Sequence, residues 1–93
     1  MARRLGQHSL INKSAINKIV AALELKSGDT IVEIGPGEGA LTIPILEKCK
    51  KIGCKLITID KDRVLGEKFG SIIGDALEEL PKLTFSKLVG NIP

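Results

Sequence analysis

A run of mostly β-branched residues, Thr30-Ile31-Val32-Glu33-Ile34, passes without a break into Gly35-Pro36-Gly37-Glu38-Gly39. A short strand that ends in a glycine-rich bend and continues into a helix makes a βα unit, and no other feature constrains the chain as tightly. Glycine lets the backbone turn sharply and lets a ligand approach with no Cβ in the way. The start of the following helix meanwhile presents unpaired N–H groups. A nucleotide-like ligand suits that junction, although a structural loop with no ligand shares the pattern. The glycines fall as G-x-G-x-G, whereas dinucleotide-binding folds use G-x-G-x-x-G, so a nicotinamide dinucleotide is disfavoured.

The rest of the chain alternates helix and strand with no repeat or low-complexity linker, which predicts one α/β unit. Ser14 can cap a first helix whose Ile16, Ile19, Val20 and Leu23 follow the spacing of one buried face. A helix over about 40–51 puts Leu41, Ile45 and Cys49 on one stripe, with Pro44 near its first turn, where a missing N–H does least harm. Residues 55–59 read as a second strand ending at Asp60, and 62–68 as the next helix. A weaker third strand, 71–73, ends at Gly74-Asp75; a helical turn over 77–80 follows, then a fourth strand, 86–89, ending at Gly90-Asn91-Ile92-Pro93. Each strand thus ends in polar or glycine-containing residues, and in an open parallel sheet that edge is where ligands bind.

Composition narrows the function further. Ninety-three residues make one small domain, and its only aromatics are Phe69 and Phe85, so there is little to stack on a base. No apolar stretch approaches the roughly 20 residues of a membrane span, and the start lacks the apolar core of a signal peptide. Cys49 and Cys54 have no second pair and no His cluster near them, so neither a zinc site nor a disulfide framework is expected; reduced thiols in a cytoplasmic protein are. Residues 1–26 carry a net charge of +4 in a chain of net +3, which points to an anionic partner at that end, nucleic acid first.

Gly90-Asn91-Ile92-Pro93 resembles the Asn-Leu/Ile-Pro-aromatic motif of enzymes that methylate adenine amines, and Leu5-Gly6-Gln7-His8-Ser9-Leu10 resembles a segment near the start of the same enzymes. Between them, Glu33-Ile34-Gly35-Pro36-Gly37, the acid Asp60 and Gly74-Asp75-Ala76-Leu77 stand in matching order. On these residues the chain resembles the rRNA adenine N6-dimethyltransferases over essentially its whole length, with the small-subunit enzymes favoured. The resemblance implies a truncated, Rossmann-like class I fold dependent on S-adenosylmethionine, of about four parallel strands with helices on both faces. Residues 1–93 would form the N-terminal part of a cofactor-binding domain, lacking the later strands and the C-terminal helical domain.

Carried over by position, the resemblance places His8 and Leu10 at the methionine side of S-adenosylmethionine. Gly35 and Gly37 would lie against the cofactor's surface, Asp60 at its ribose, Asp75 at its adenine, and Asn91 at the cofactor and the reaction centre. Asn91, Ile92 and Pro93 form the catalytic motif: the Asn91 side-chain oxygen and the Ile92 carbonyl would accept the two hydrogens of the target amine and aim its lone pair at the methyl. Catalysis would then be positioning and electrostatics, with no metal. Small-subunit rRNA is the implied partner, gripped through Arg3, Arg4 and Lys13, with the adenine out of its stack.

Four departures from the family pattern have physical consequences. Ser9 replaces a Phe and removes an aromatic contact. Asp60 stands where Glu is common, one methylene shorter toward the ribose. The stretch from Arg63 to Gly74 is short, which thins one wall of the adenine pocket, and the chain ends before the Tyr expected after Pro93. Without that ring, stacking worth roughly 1 to 3 kcal/mol is lost, so the chain alone is expected to be inactive. A fourth strand with an open edge predicts self-association. Two other readings share most motifs: a resistance-type methyltransferase of large-subunit rRNA, and a non-catalytic RNA-binding or ribosome-assembly factor.

Overall fold

A computed structural model describes residues 12–90. Helix α1 (Lys13–Ala22) leads into β1 (Thr30–Ile34), followed by α2 (Thr42–Ile52), β2 (Lys55–Asp60), α3 (Arg63–Lys68), β3 (Ile72–Ile73), α4 (Ala76–Glu79), a 3-10 turn (Leu80–Lys82) and β4 (Lys87–Gly90). The strands form one parallel sheet in the order β3-β2-β1-β4. Thr30 pairs with Lys55 and Ile34 with Ile59, while Ile31 pairs with Lys87, so the central strand β1 is bonded along both edges.

Alternation along β1 sorts its side chains onto two faces. Ile31 points to the face covered by α1 and α2 and joins Ile16, Leu41, Ile45 and Cys49 in the core cluster. The predicted α2 stripe is therefore buried as read. On the opposite face Ile34 lines a cavity together with Ala76 and Leu77 of α4 and Leu80 of the 3-10 turn. Helices thus cover both faces, as the short right-handed crossovers of a parallel sheet require.

Two local expectations change. Helix α1 is capped by Asn12, whose side chain accepts the Ala15 N–H at 3.1 Å, so Ser14 lies inside the helix. Cys49 and Cys54 are joined in a disulfide, against the expectation of free thiols. Gly53 ends α2 at φ +85°, and the chain folds back until the two Cα atoms are 4.4 Å apart. Spacing alone does not show this, because five residues of helix and turn bring together side chains that an extended chain would separate.

At the N-terminal edge of the sheet, Asp29 ties β1 to β4. Its carboxylate takes the Lys87 ammonium at 2.8 Å, the Ser86 hydroxyl at 2.9 Å and the Lys26 N–H at 2.9 Å. The Lys87 bond above all, then those from Lys26 and Ser86, holds the Asp29 carboxyl down to about 2.

Candidate cofactor site

The site forms at the C-terminal edge of the strands. The Gly35 N–H donates to the Ile59 carbonyl at 2.8 Å, which pins the start of the glycine-rich bend to β2. The bend then closes on itself, Gly39 N–H to Pro36 carbonyl at 2.9 Å, before α2 begins. Phe69, just past α3, lays its ring against Gly39 and backs the bend from the far side.

Beside the bend lies an open cavity of about 540 Å³, within the size range of small-molecule sites. Gly35, Asp60 and Asp75 all line it, so three sequence-predicted residues from three separate loops meet at one place. Gly37 belongs to the same bend but is not part of the lining. Leu77, 83% exposed, and Leu80 supply an apolar wall. Lys13 is exposed in the first turn of α1. Arg3, Arg4, His8, Leu10, Asn91, Ile92 and Pro93 lie outside the described residues.

The carboxylates differ in what they already hold. Asp60 accepts the Asp62 N–H through Oδ1 at 2.9 Å, while its Oδ2 is buried with no partner among the described residues. Asp75 caps α4, accepting the Leu77 N–H at 2.8 Å. The cap uses one of the two acceptor oxygens that a carboxylate carries.

Glu33 is a site residue to which the sequence reading assigned no role. It is fully buried in the middle of β1, and its Oε1 accepts the Thr42 hydroxyl at 2.6 Å from the first residue of α2. That bond spans the whole glycine-rich bend and clasps its two ends together. Oε2 has no partner among the described residues. The signal was present in the sequence as a lone acid inside an apolar strand, a position where a buried charge is costly unless it is used. Burial pushes the Glu33 carboxyl up, with the neighbouring Asp60 adding to the rise and the Thr42 bond opposing it.

A folded-state value above the ordinary 4.5 means the unfolded chain releases this proton first. The protonated Glu33 therefore favours the fold below 4.5, and that stability is lost as pH rises through the folded-state value. Glu33→Gln keeps an acceptor for Thr42 and cannot ionise. Urea unfolding from mildly acid to neutral pH should show wild-type stability falling relative to the variant; parallel curves would refute the assignment.

Residues 1–70 match the sequence pattern of the ribosomal RNA adenine dimethylase family, three quarters of the chain. The chain belongs to that family. Among its relatives, "Ribosomal RNA small subunit methyltransferase A" of Thermosynechococcus vestitus is 40% identical over 98% of this chain and 37% of its own length. The proteins of that name from Fusobacterium nucleatum and Cupriavidus taiwanensis are 40% and 37% identical, again over 98% of this chain and 38% and 36% of their own. The chain thus spans a little over a third of the length of these relatives. Among solved structures, coclaurine N-methyltransferase bound to N-methylheliamine and SAH is similar at a TM-score of 0.52 and 16% identity, over 86% of this chain and 21% of that one. The fold is the Rossmann-like methyltransferase fold.

Among the described residues, no group of three or more His, Cys, Asp or Glu could hold a metal ion, and no helix is long and apolar enough to cross a membrane.

Proposed function

We propose that this chain supplies the cofactor-binding part of an S-adenosylmethionine-dependent enzyme that dimethylates adenine amines of small-subunit rRNA in the cytoplasm. The observation that carries the reading is the convergence of Gly35, Asp60 and Asp75 on one cavity, with a buried Asp60 oxygen that lacks a donor. A buried acceptor without a partner costs about 1 to 3 kcal/mol, and a ribose hydroxyl would relieve it. The second oxygen of Asp75 is then the acceptor for the adenine amine, and Leu77 the apolar surface beneath the ring. Glu33 holds the bend that lies along the cofactor. A cationic sulfonium also suits an edge built from carboxylates.

By motif, Asn91 and Ile92 would hold the target amine with its lone pair toward the methyl that S-adenosylmethionine would supply, and the amine's proton would pass to solvent. His8, Leu10 and Gly37 complete the cofactor contacts, Pro93 the motif, and Arg3, Arg4 and Lys13 the RNA grip. Self-association through the outer edge of β4 belongs to the same reading.

Calorimetric titration with S-adenosylmethionine, with NAD as the control, tests the core of it. Asp75→Asn keeps the α4 cap, since Asn caps as well as Asp, but removes the charge. Saturable binding of S-adenosylmethionine alone is expected, weakened about 10- to 100-fold in the variant, as the loss of a charge-assisted bond requires. A folded chain that binds NAD equally well, or neither compound, defeats the proposal.

A further inference from the structure

Charge is uneven between the two ends of the strands: two carboxylates and Lys61 stand at the cavity, and lysines predominate at the other end. Asp60 and Asp75 line the cavity at the C-terminal edge, with Glu33 buried behind it. At the N-terminal edge, Lys26 precedes β1, Lys50 and Lys51 lie in the last turn of α2, and Lys55 opens β2. Backbone bonds gather these segments: the Gly28 N–H donates to the Gly53 carbonyl at 2.8 Å, and the Lys55 N–H to the Asp29 carbonyl at 2.9 Å.

All four lysines are exposed, and the ion pairs of the described residues include none of them. Asp29, the acid placed among them, is already taken by Lys87, and Glu24 and Glu47, the latter one turn before Lys50 and Lys51 on α2, make no ion pair among the described residues. Lys50 and Lys51 also complement the dipole of α2. Lys26 and Lys55 have no such duty.

We propose that this N-terminal edge is a phosphate-binding surface that grips the backbone of folded RNA, apart from the cofactor cavity. The proposal takes the identity of its partner from the rRNA reading above. Clustered ammonium groups that outnumber the carboxylates around them bind phosphates and release the counterions condensed on them. The aromatic at this edge, Phe85, is half-buried, so the contact is with the backbone and not with stacked bases. Strands of this length set the edge about 15 to 20 Å from the cavity, far enough for RNA held here to leave the cofactor face open. Lys13 stands at the opposite end of α1 from Lys26, so the two are separate contacts.

Fluorescence anisotropy with a labelled RNA hairpin, read across a salt series, tests this. The triple variant Lys50→Glu/Lys51→Glu/Lys55→Glu should bind at least about tenfold more weakly, with a salt slope lower by about 2 to 3. Reversing Arg63 and Lys68, cations elsewhere that already have carboxylate partners, should change little. S-adenosylmethionine affinity of the triple variant should match the wild type, which also shows that it folds. Unchanged RNA affinity in the triple variant overturns the proposal, as does a wild type that binds phosphatidylserine vesicles and no RNA. Lysine-dependent RNA binding by a chain that ignores S-adenosylmethionine would leave this surface standing and defeat the cofactor reading instead.

Discussion

Replacing Ile45 by alanine should remove about 2 to 5 kcal/mol of folding stability, the range for a large aliphatic residue lost from a closed core. Ile45 is fully buried where α2 packs on β1, and Ile16, Ile31, Leu41 and Cys49 share its cluster. With aromatics absent from that cluster, small aliphatic side chains carry the packing, and the methylenes removed leave a gap that a short helix cannot easily close. Domains of this size hold about 5 to 10 kcal/mol in all, so the variant should sit near its unfolding midpoint under conditions where the wild type is folded. Urea unfolding followed by far-ultraviolet circular dichroism measures the loss. Ile43, on the same helix but 49% exposed, is the control: its alanine variant should change stability by less than about 1 kcal/mol. Equal effects at the two positions would show that this face of α2 is not the core.

Gly39→Ala should be nearly as damaging, for two separable reasons. A Cβ at Gly39 would stand 2.3 Å from Cζ of Phe69 and 3.1 Å from both ring Cε atoms, so either the ring or the glycine-rich bend must move. Gly39 also adopts φ +95°, a conformation that side-chain-bearing residues rarely take. Strain of about 1 to 3 kcal/mol and overpacking of about 1 to 3 kcal/mol add to a loss of roughly 2 to 6 kcal/mol. Gly28 separates them, because its φ is +88° with nothing within 4 Å of an added Cβ. Gly28→Ala should therefore show the strain alone, and the excess at Gly39 should shrink when Phe69 is replaced by Leu in the same chain. Thermal unfolding of the two single variants and the Gly39→Ala/Phe69→Leu double variant checks the coupling. An excess at Gly39 that the Leu does not reduce would mean that the ring is not what the bend rests on. S-adenosylmethionine titration of Gly39→Ala should also weaken, since the bend carries Gly35 to the cavity.

The elements most legible in advance are those whose signals are local. The β-branched run at β1, the glycine triplet after it, the Leu41-Ile45-Cys49 stripe and the acid at the end of β2 each depend on period or turn chemistry within a few residues, and the structure reproduces each of them. The cap of α1 moved from Ser14 to Asn12 because both are good capping residues, and the choice between them is made by where the backbone leaves the helical region. At Asp75 the sequence allowed a helix cap or a ligand acceptor, and the side chain does the first while leaving an oxygen for the second.

What the sequence determined by itself is the order of strands and helices, the edge at which the cavity opens and the family to which the chain belongs, because pattern, turn chemistry and motif order are written along the chain. Only the tertiary structure decided that Glu33 reaches Thr42 across the bend, that Phe69 backs Gly39, that Cys49 meets Cys54, and that Lys26, Lys50, Lys51 and Lys55 gather at one edge. These are matters of distance through space. Parallel pairing brings segments some 25 residues apart into register, and no periodicity along the sequence records which side chains will then meet.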